Sequence, residues 1–96
     1  MRLRFYSIKD NLSGVFLAPF VARNDVEAVR QLSASLRDPQ MAQSAIAMSP
    51  HDFELCFVGA FDDESGEVFP DDEYAGTLPA SLGSVQRLCQ VEVRGS

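Results

Sequence analysis

One stretch, Phe53-Glu54-Leu55-Cys56-Phe57-Val58-Gly59-Ala60-Phe61, constrains this chain more than any other. It is dense in aromatic and β-favouring residues and contains no proline, which reads as a strand. A period of two places Phe53, Leu55, Phe57 and Phe61 on one face and Glu54, Cys56, Val58 and Ala60 on the other. The large face is expected to meet a helix. The second face is also mostly apolar, so the strand is expected to be central, and the fold must be built around it.

Period-2 alternation recurs at residues 2–8, where Arg2, Arg4 and Tyr6 share one side and Leu3, Phe5 and Ser7 the other. Asp10-Asn11-Leu12-Ser13-Gly14 is turn chemistry, because Asn and Gly tolerate the left-handed backbone of a tight turn. Val15-Phe16-Leu17 then reads as a returning strand ended by Pro19, giving a hairpin with the first. Asn24 with Glu27 fits a capping box, and Val26, Val29, Leu32, Ser33 and Leu36 follow at helical spacing. Asp38-Pro39 stops this helix, since the residue before a proline avoids helical angles. Residues 40–50 form a small-residue connection suited to a short second helical piece.

After the central strand, Asp63-Glu64-Ser65-Gly66 reads as a hairpin loop and Glu67-Val68-Phe69 as the strand that returns from it. Asp71-Asp72-Glu73 reads as a solvated turn, residues 79–88 as a short helical turn, and residues 90–93 as a last edge strand. The order β-β-α-β-β predicts an α+β domain over residues 1–96, with a small, mostly antiparallel sheet of four to five strands and one main helix on one face. One helix cannot cover such a sheet. The face with Cys56 and Val58 therefore needs residues 40–50, the C-terminal segment or a second subunit over it.

Composition narrows the function classes. The chain is 46% hydrophobic and 23% charged with a net charge of −6, which suits a soluble globular domain and disfavours a non-specific polyanion binder. That total hides an asymmetry. Residues 1–48 carry six basic against four acidic residues, and residues 49–96 carry two against ten. The start has no signal-peptide pattern, and the longest nearly apolar run, residues 15–22, falls far below a membrane span. The expectation is an intracellular protein with no membrane partner. Cys56 and Cys89 are read as free thiols.

Few residues suggest chemistry. His51 is the only histidine and has no nucleophile near it in sequence, so no catalytic residue, metal ligand or cofactor is expected. The acids Asp62, Asp63, Glu64 and Glu67, and then Asp71, Asp72 and Glu73, do not follow an EF-hand spacing and read as solvated turns. The basic residues are more informative. Arg23, Arg30 and Arg37 recur every seven residues, a repeat that lines three guanidiniums along one helix flank. Glu27 is spaced to pair with Arg23 or Arg30. Such a row either covers the core edge as a salt-bridged flank or contacts phosphates. Arg2 and Arg4 beside Tyr6 on one strand face are the ingredients of a platform on which single-stranded bases stack while phosphates are neutralised.

An ordered set of short motifs adds a resemblance. Leu3-Arg4-Phe5-Tyr6-Ser7-Ile8-Lys9-Asp10, Pro19-Phe20, Ala28-Val29-Arg30, Asp38-Pro39, Pro50-His51-Asp52-Phe53-Glu54-Leu55, Gly59-Ala60-Phe61-Asp62-Asp63-Glu64-Ser65-Gly66 and Pro79-Ala80-Ser81-Leu82-Gly83 follow one another in the chain. From about residue 2 to 84 they resemble the small nonstructural protein of gokushoviruses, single-stranded DNA phages of the Microviridae. The resemblance implies a protein of the host bacterial cytoplasm that is not a virion component and takes part in DNA synthesis or in production and packaging of the single-stranded genome. It brings no catalytic residues.

Two functions follow as expectations. The first is a non-enzymatic phage accessory protein that binds single-stranded DNA weakly through Arg2, Arg4, Tyr6, Arg23, Arg30 and Arg37, or works on a replication or packaging protein. The alternative is a homodimeric interaction module that modulates a phage or host protein through its acidic half, without DNA.

Overall fold

A computed structural model describes residues 1–70 and 78–89. It is an α+β fold with a five-stranded antiparallel sheet. The strands are β1 (Arg2–Asp10), β2 (Phe20–Ala22), β3 (Phe53–Asp62), β4 (Val68–Phe69) and β5 (Ala80–Ser84). The helices are α1 (Asp25–Arg37), α2 (Ala45–Met48) and α3 (Val85–Cys89). β3 is central: β1 pairs along one side of it, and β4 and β5 share the other. β2 lies outside β1.

The first hairpin turns where the sequence places it, with Gly14 at φ 76° and its N–H on the Asp10 carbonyl at 2.7 Å. The returning strand differs from expectation. Val15-Phe16-Leu17 contributes a single bridge, Lys9 to Phe16, and the regular ladder resumes beyond Pro19 as β2. Proline lacks the N–H that a ladder needs, so it interrupts the strand without ending it. The Ser7 hydroxyl donates to the Leu17 carbonyl at 2.6 Å and fixes this irregular stretch to β1.

α1 is capped by Asn24, whose side chain accepts the Glu27 N–H at 2.8 Å. Asp25 and Glu27 in the first turn and Arg37 in the last match the helix dipole. Asp38 ends it with extended angles and caps a 3-10 turn that begins at Pro39. Ala28 and Leu32 are buried, and Val29 and Leu36 pack beside them. Val26 departs from the expected stripe and is 68% exposed. In α2, Ile46 inserts into the core, whereas Met48 projects outward.

The segment after residue 78 is also more regular than expected. Residues 80–84 are a strand and only residues 85–89 are helical. Gly83 has φ 133°, and the Arg87 guanidinium crosses it to donate to the Leu82 carbonyl at 2.8 Å. The expected turn at Asp71-Asp72-Glu73 and the edge strand at residues 90–93 lie outside the described residues.

A β-bulge reorders the faces of β3. Tyr6 pairs with Phe57 but Phe5 pairs with Gly59, so Val58 is an extra residue on the β3 side. Beyond it the alternation inverts. Ala60 faces the core with Phe57, Leu55 and Phe53, and Phe61 turns to the opposite side against Phe5, with ring centroids 5.7 Å apart. The sequence-based placement of Phe61 and Ala60 is therefore exchanged.

All three helices pack on one face of the sheet. Ala28, Leu32, Ile46 and Val85 meet Tyr6, Ile8, Phe53, Leu55 and Phe57 there. Burying each large apolar side chain contributes ~1.5–3 kcal/mol. Residues 40–50 serve this same core and do not cover the opposite face, contrary to one of the expected ways of covering it.

Candidate functional site

The sequence-predicted nucleic-acid residues separate in space. Tyr6 is fully buried, its ring stacked on Phe20 and edge-on to Phe57. It presents no surface on which a base can stack. The side of β1 holding Arg2, Arg4 and Tyr6 is the helix-covered side, and the side with Leu3 and Phe5 is the open one. Alternation gave the two sides of β1 correctly but not which is inward.

Arg4 is drawn into the same packing. Its side chain is 18% exposed, its guanidinium lies 5.2 Å from the centroid of the Phe57 ring, and Nη1 is 3.3 Å from Oδ1 of Asp25. The Tyr6 hydroxyl donates to that same Oδ1. Burial first, and then the Asp25 carboxylate, push the Tyr6 phenol well above its usual range. Arg4, Tyr6 and Asp25 thus join the start of α1 to the sheet.

Arg2 is exposed, with its guanidinium 4.5 Å from the Phe69 ring centroid. Arg23 precedes the N-cap and so lies outside the helix, which shortens the expected three-arginine row to Arg30 and Arg37. Arg23 Nε is 4.0 Å from Glu27, and Gln31 donates to the other Glu27 oxygen. Glu27 therefore serves Arg23 and not Arg30. Arg30 and Arg37 are exposed and make no ion pair among the described residues. Seven residues of helix set them about 10 Å apart.

The acidic hairpin is internally organised. The Asp62 carboxylate accepts the Glu64 N–H at 2.9 Å, and this contact first of all holds it below the usual carboxylate range. The Met1 ammonium lies 2.6 Å from Asp63, with Asp62 and Glu64 within 4 Å. Among the described residues no cluster of His, Cys, Asp and Glu is placed to hold a metal ion. His51 is exposed in a 3-10 turn, 3.6 Å from its neighbour Asp52.

The opposite face of the sheet offers an apolar surface. Leu3, Phe5, Val21, Val58, Phe61 and Val68 share it. No described helix lies over them. Two charges on this face, Lys9 and Glu54, stand directly opposite each other in the ladder. A hollow of about 520 Å³ opens beside Phe5, Val58 and Gly59, walled by Pro19, Val68, Phe69 and Pro70. Gly59 supplies its floor by lacking a side chain. A Cβ there would meet the Phe69 carbonyl at an ordinary 3.5 Å, so the position is open. Cys56 belongs to this face but is buried, and burial, followed by the Glu54 carboxylate, raises its thiol pKa. Cys56 and Cys89 are both free.

The sequence pointed to an uncovered face but missed Phe5 and Phe61 as its centre. The only available signal was Gly59 within a run of large residues, a mark of bulges. No described helix is long and apolar enough to cross a membrane. No curated protein and no solved structure matches the chain. The family model described as phage ORF5 protein matches residues 3–84, and on that span the chain belongs to the phage ORF5 protein family.

Proposed function

We propose that this phage protein is a non-enzymatic accessory factor that works by protein contact through the open face of its sheet. The observation carrying the proposal is the contiguous apolar surface of Phe5, Val21, Val58, Phe61 and Val68, opposite the helix-covered core. Contiguous apolar patches left open to water mark interaction surfaces, whereas apolar residues scattered singly do not. The gokushovirus resemblance supports the setting: replication or packaging of a single-stranded DNA genome in the host cytoplasm, by a protein that is not built into the virion.

The test is an infection with phage carrying Val68→Lys, at a side chain 67% exposed. Single-stranded genome relative to the duplex form should fall while the purified variant stays folded. Normal genome ratios would contradict the proposal.

A second reading rests on Arg30 and Arg37, exposed and without ion pairs among the described residues. Together with Arg23, they suit weak, salt-sensitive contact with single-stranded DNA. The acidic half offers a basic partner the hairpin acids from Asp62 to Glu67, three of which face the Met1 ammonium.

A further inference from the structure

We propose a second interaction site at the edge of the sheet: Val15-Phe16-Leu17 takes an extended peptide segment of a partner protein as an added strand. The site is separate from the open face and does not depend on how that face is read.

The backbone chooses the kind of partner. The Asp10 N–H bonds the Val15 carbonyl at 2.9 Å, and the Leu17 N–H bonds the Ile8 carbonyl at 2.8 Å. These bonds turn Val15 and Leu17 toward β1. Phe16 lies between them, so its N–H and carbonyl point away from the sheet. Neither group has a hydrogen-bond partner among the described residues. Further along the same edge, the Val21 carbonyl is covered by Gln31, whose side-chain amide donates to it at 3.2 Å. The edge is thus blocked at β2 and open at Phe16. An open edge pairs with another strand, because only an extended backbone returns both bonds at once.

The side chains choose its character. Residues 11–19 are all exposed and none is charged, with Leu12, Val15, Phe16 and Leu17 among them. The Phe16 ring lies on the open-face side, 5.9 Å from Nζ of Lys9. On the helix side of the same edge is a cavity of about 240 Å³ lined by Ile8, Phe20, Leu32, Met41 and Ile46. Ile8 holds Leu17, and Phe20 opens β2 just beyond Pro19. Side chains alternate along a strand, so the residues flanking the one paired with Phe16 point to that helix side. Pro19 keeps the added ladder short, and the cavity supplies the rest of the contact by taking an aliphatic or aromatic side chain.

The experiment selects binders from a library of short random peptides on the full chain and measures their affinities by fluorescence anisotropy. Selected peptides should carry apolar residues two apart with no proline between them. N-methylation of the amide that reaches the Phe16 carbonyl should weaken binding by ~10-fold, and methylation one residue away should not. Phe16→Pro removes the outward N–H and should cause a similar ~10-fold loss with an unchanged circular dichroism spectrum, whereas Phe16→Val, which keeps that N–H, should bind within about 3-fold of the wild type. Ser35→Phe, at an exposed residue beside the cavity, should shift selection toward smaller side chains.

A library that yields no binder overturns the proposal, as do binders indifferent to N-methylation. Binding that Val68→Lys abolishes and Phe16→Pro leaves intact would move the peptide to the open face and overturn the edge site alone. A wild-type dimer in sedimentation that Phe16→Pro dissolves, with no peptide bound, would reject the partner segment in favour of edge-to-edge pairing of two copies.

Discussion

The Tyr6 hydroxyl donates to Oδ1 of Asp25 at 2.5 Å, joining the middle of β1 to the first residue of α1. A side chain that the sequence offers as a base-stacking aromatic is thus spent on holding the helix to the sheet. Tyr6→Phe keeps the ring packing and removes this bond, so urea unfolding should show a loss of about 1–2 kcal/mol. Low-salt binding to an oligonucleotide should not change in the same variant.

The phenol also sets a pH dependence. Its folded pKa is raised, first by burial, above the ordinary tyrosine value. The stability it contributes is fully present below an unfolded pKa of about 10 and is lost as pH rises from there toward the folded value. In a Tyr74→Phe background Tyr6 is the only tyrosine. Phenolate absorbance should then appear only together with unfolding, whereas a phenolate forming in the folded chain would contradict the burial.

Gly83 and Gly59 should respond unequally to alanine. At Gly83 the backbone has φ 133° and a Cβ would come 1.8 Å from the Arg87 guanidinium, so Gly83→Ala should cost about 1–3 kcal/mol. Arg87→Ala should recover part of that loss by removing the clash but not the backbone strain. Gly59→Ala has room and should stay within about 1 kcal/mol of the wild type. Thermal unfolding of Gly83→Ala, of Gly83→Ala with Arg87→Ala, and of Gly59→Ala decides this.

The fold class was legible because the strongest signals were local: a long aromatic strand, the Asn24 cap, the Asp38-Pro39 stop and the Gly14 and Gly66 turns. The faces were not. A single extra residue at Val58 exchanges Phe61 and Ala60, and period-2 reading has no way to detect a bulge. Arg4 and Tyr6 look like surface residues on hydropathy alone. They are held on the covered side because Asp25, far away in sequence, satisfies both. Tertiary partners of that kind are not written in local spacing.

Arg30→Glu with Arg37→Glu tests the nucleic-acid reading. If these arginines contact phosphates, oligonucleotide affinity at ~20 mM salt should drop by ~10-fold or more and the salt dependence should flatten. Equal affinities would remove DNA contact from this helix.

The central claim is that the open sheet face is the working surface, and progeny yield of phage carrying Val21→Lys with Val68→Lys tests it most directly. Both side chains are exposed, so the variant should unfold within a few degrees of the wild type while yield falls by ~10-fold or more. A folded variant that supports wild-type yield would contradict the account.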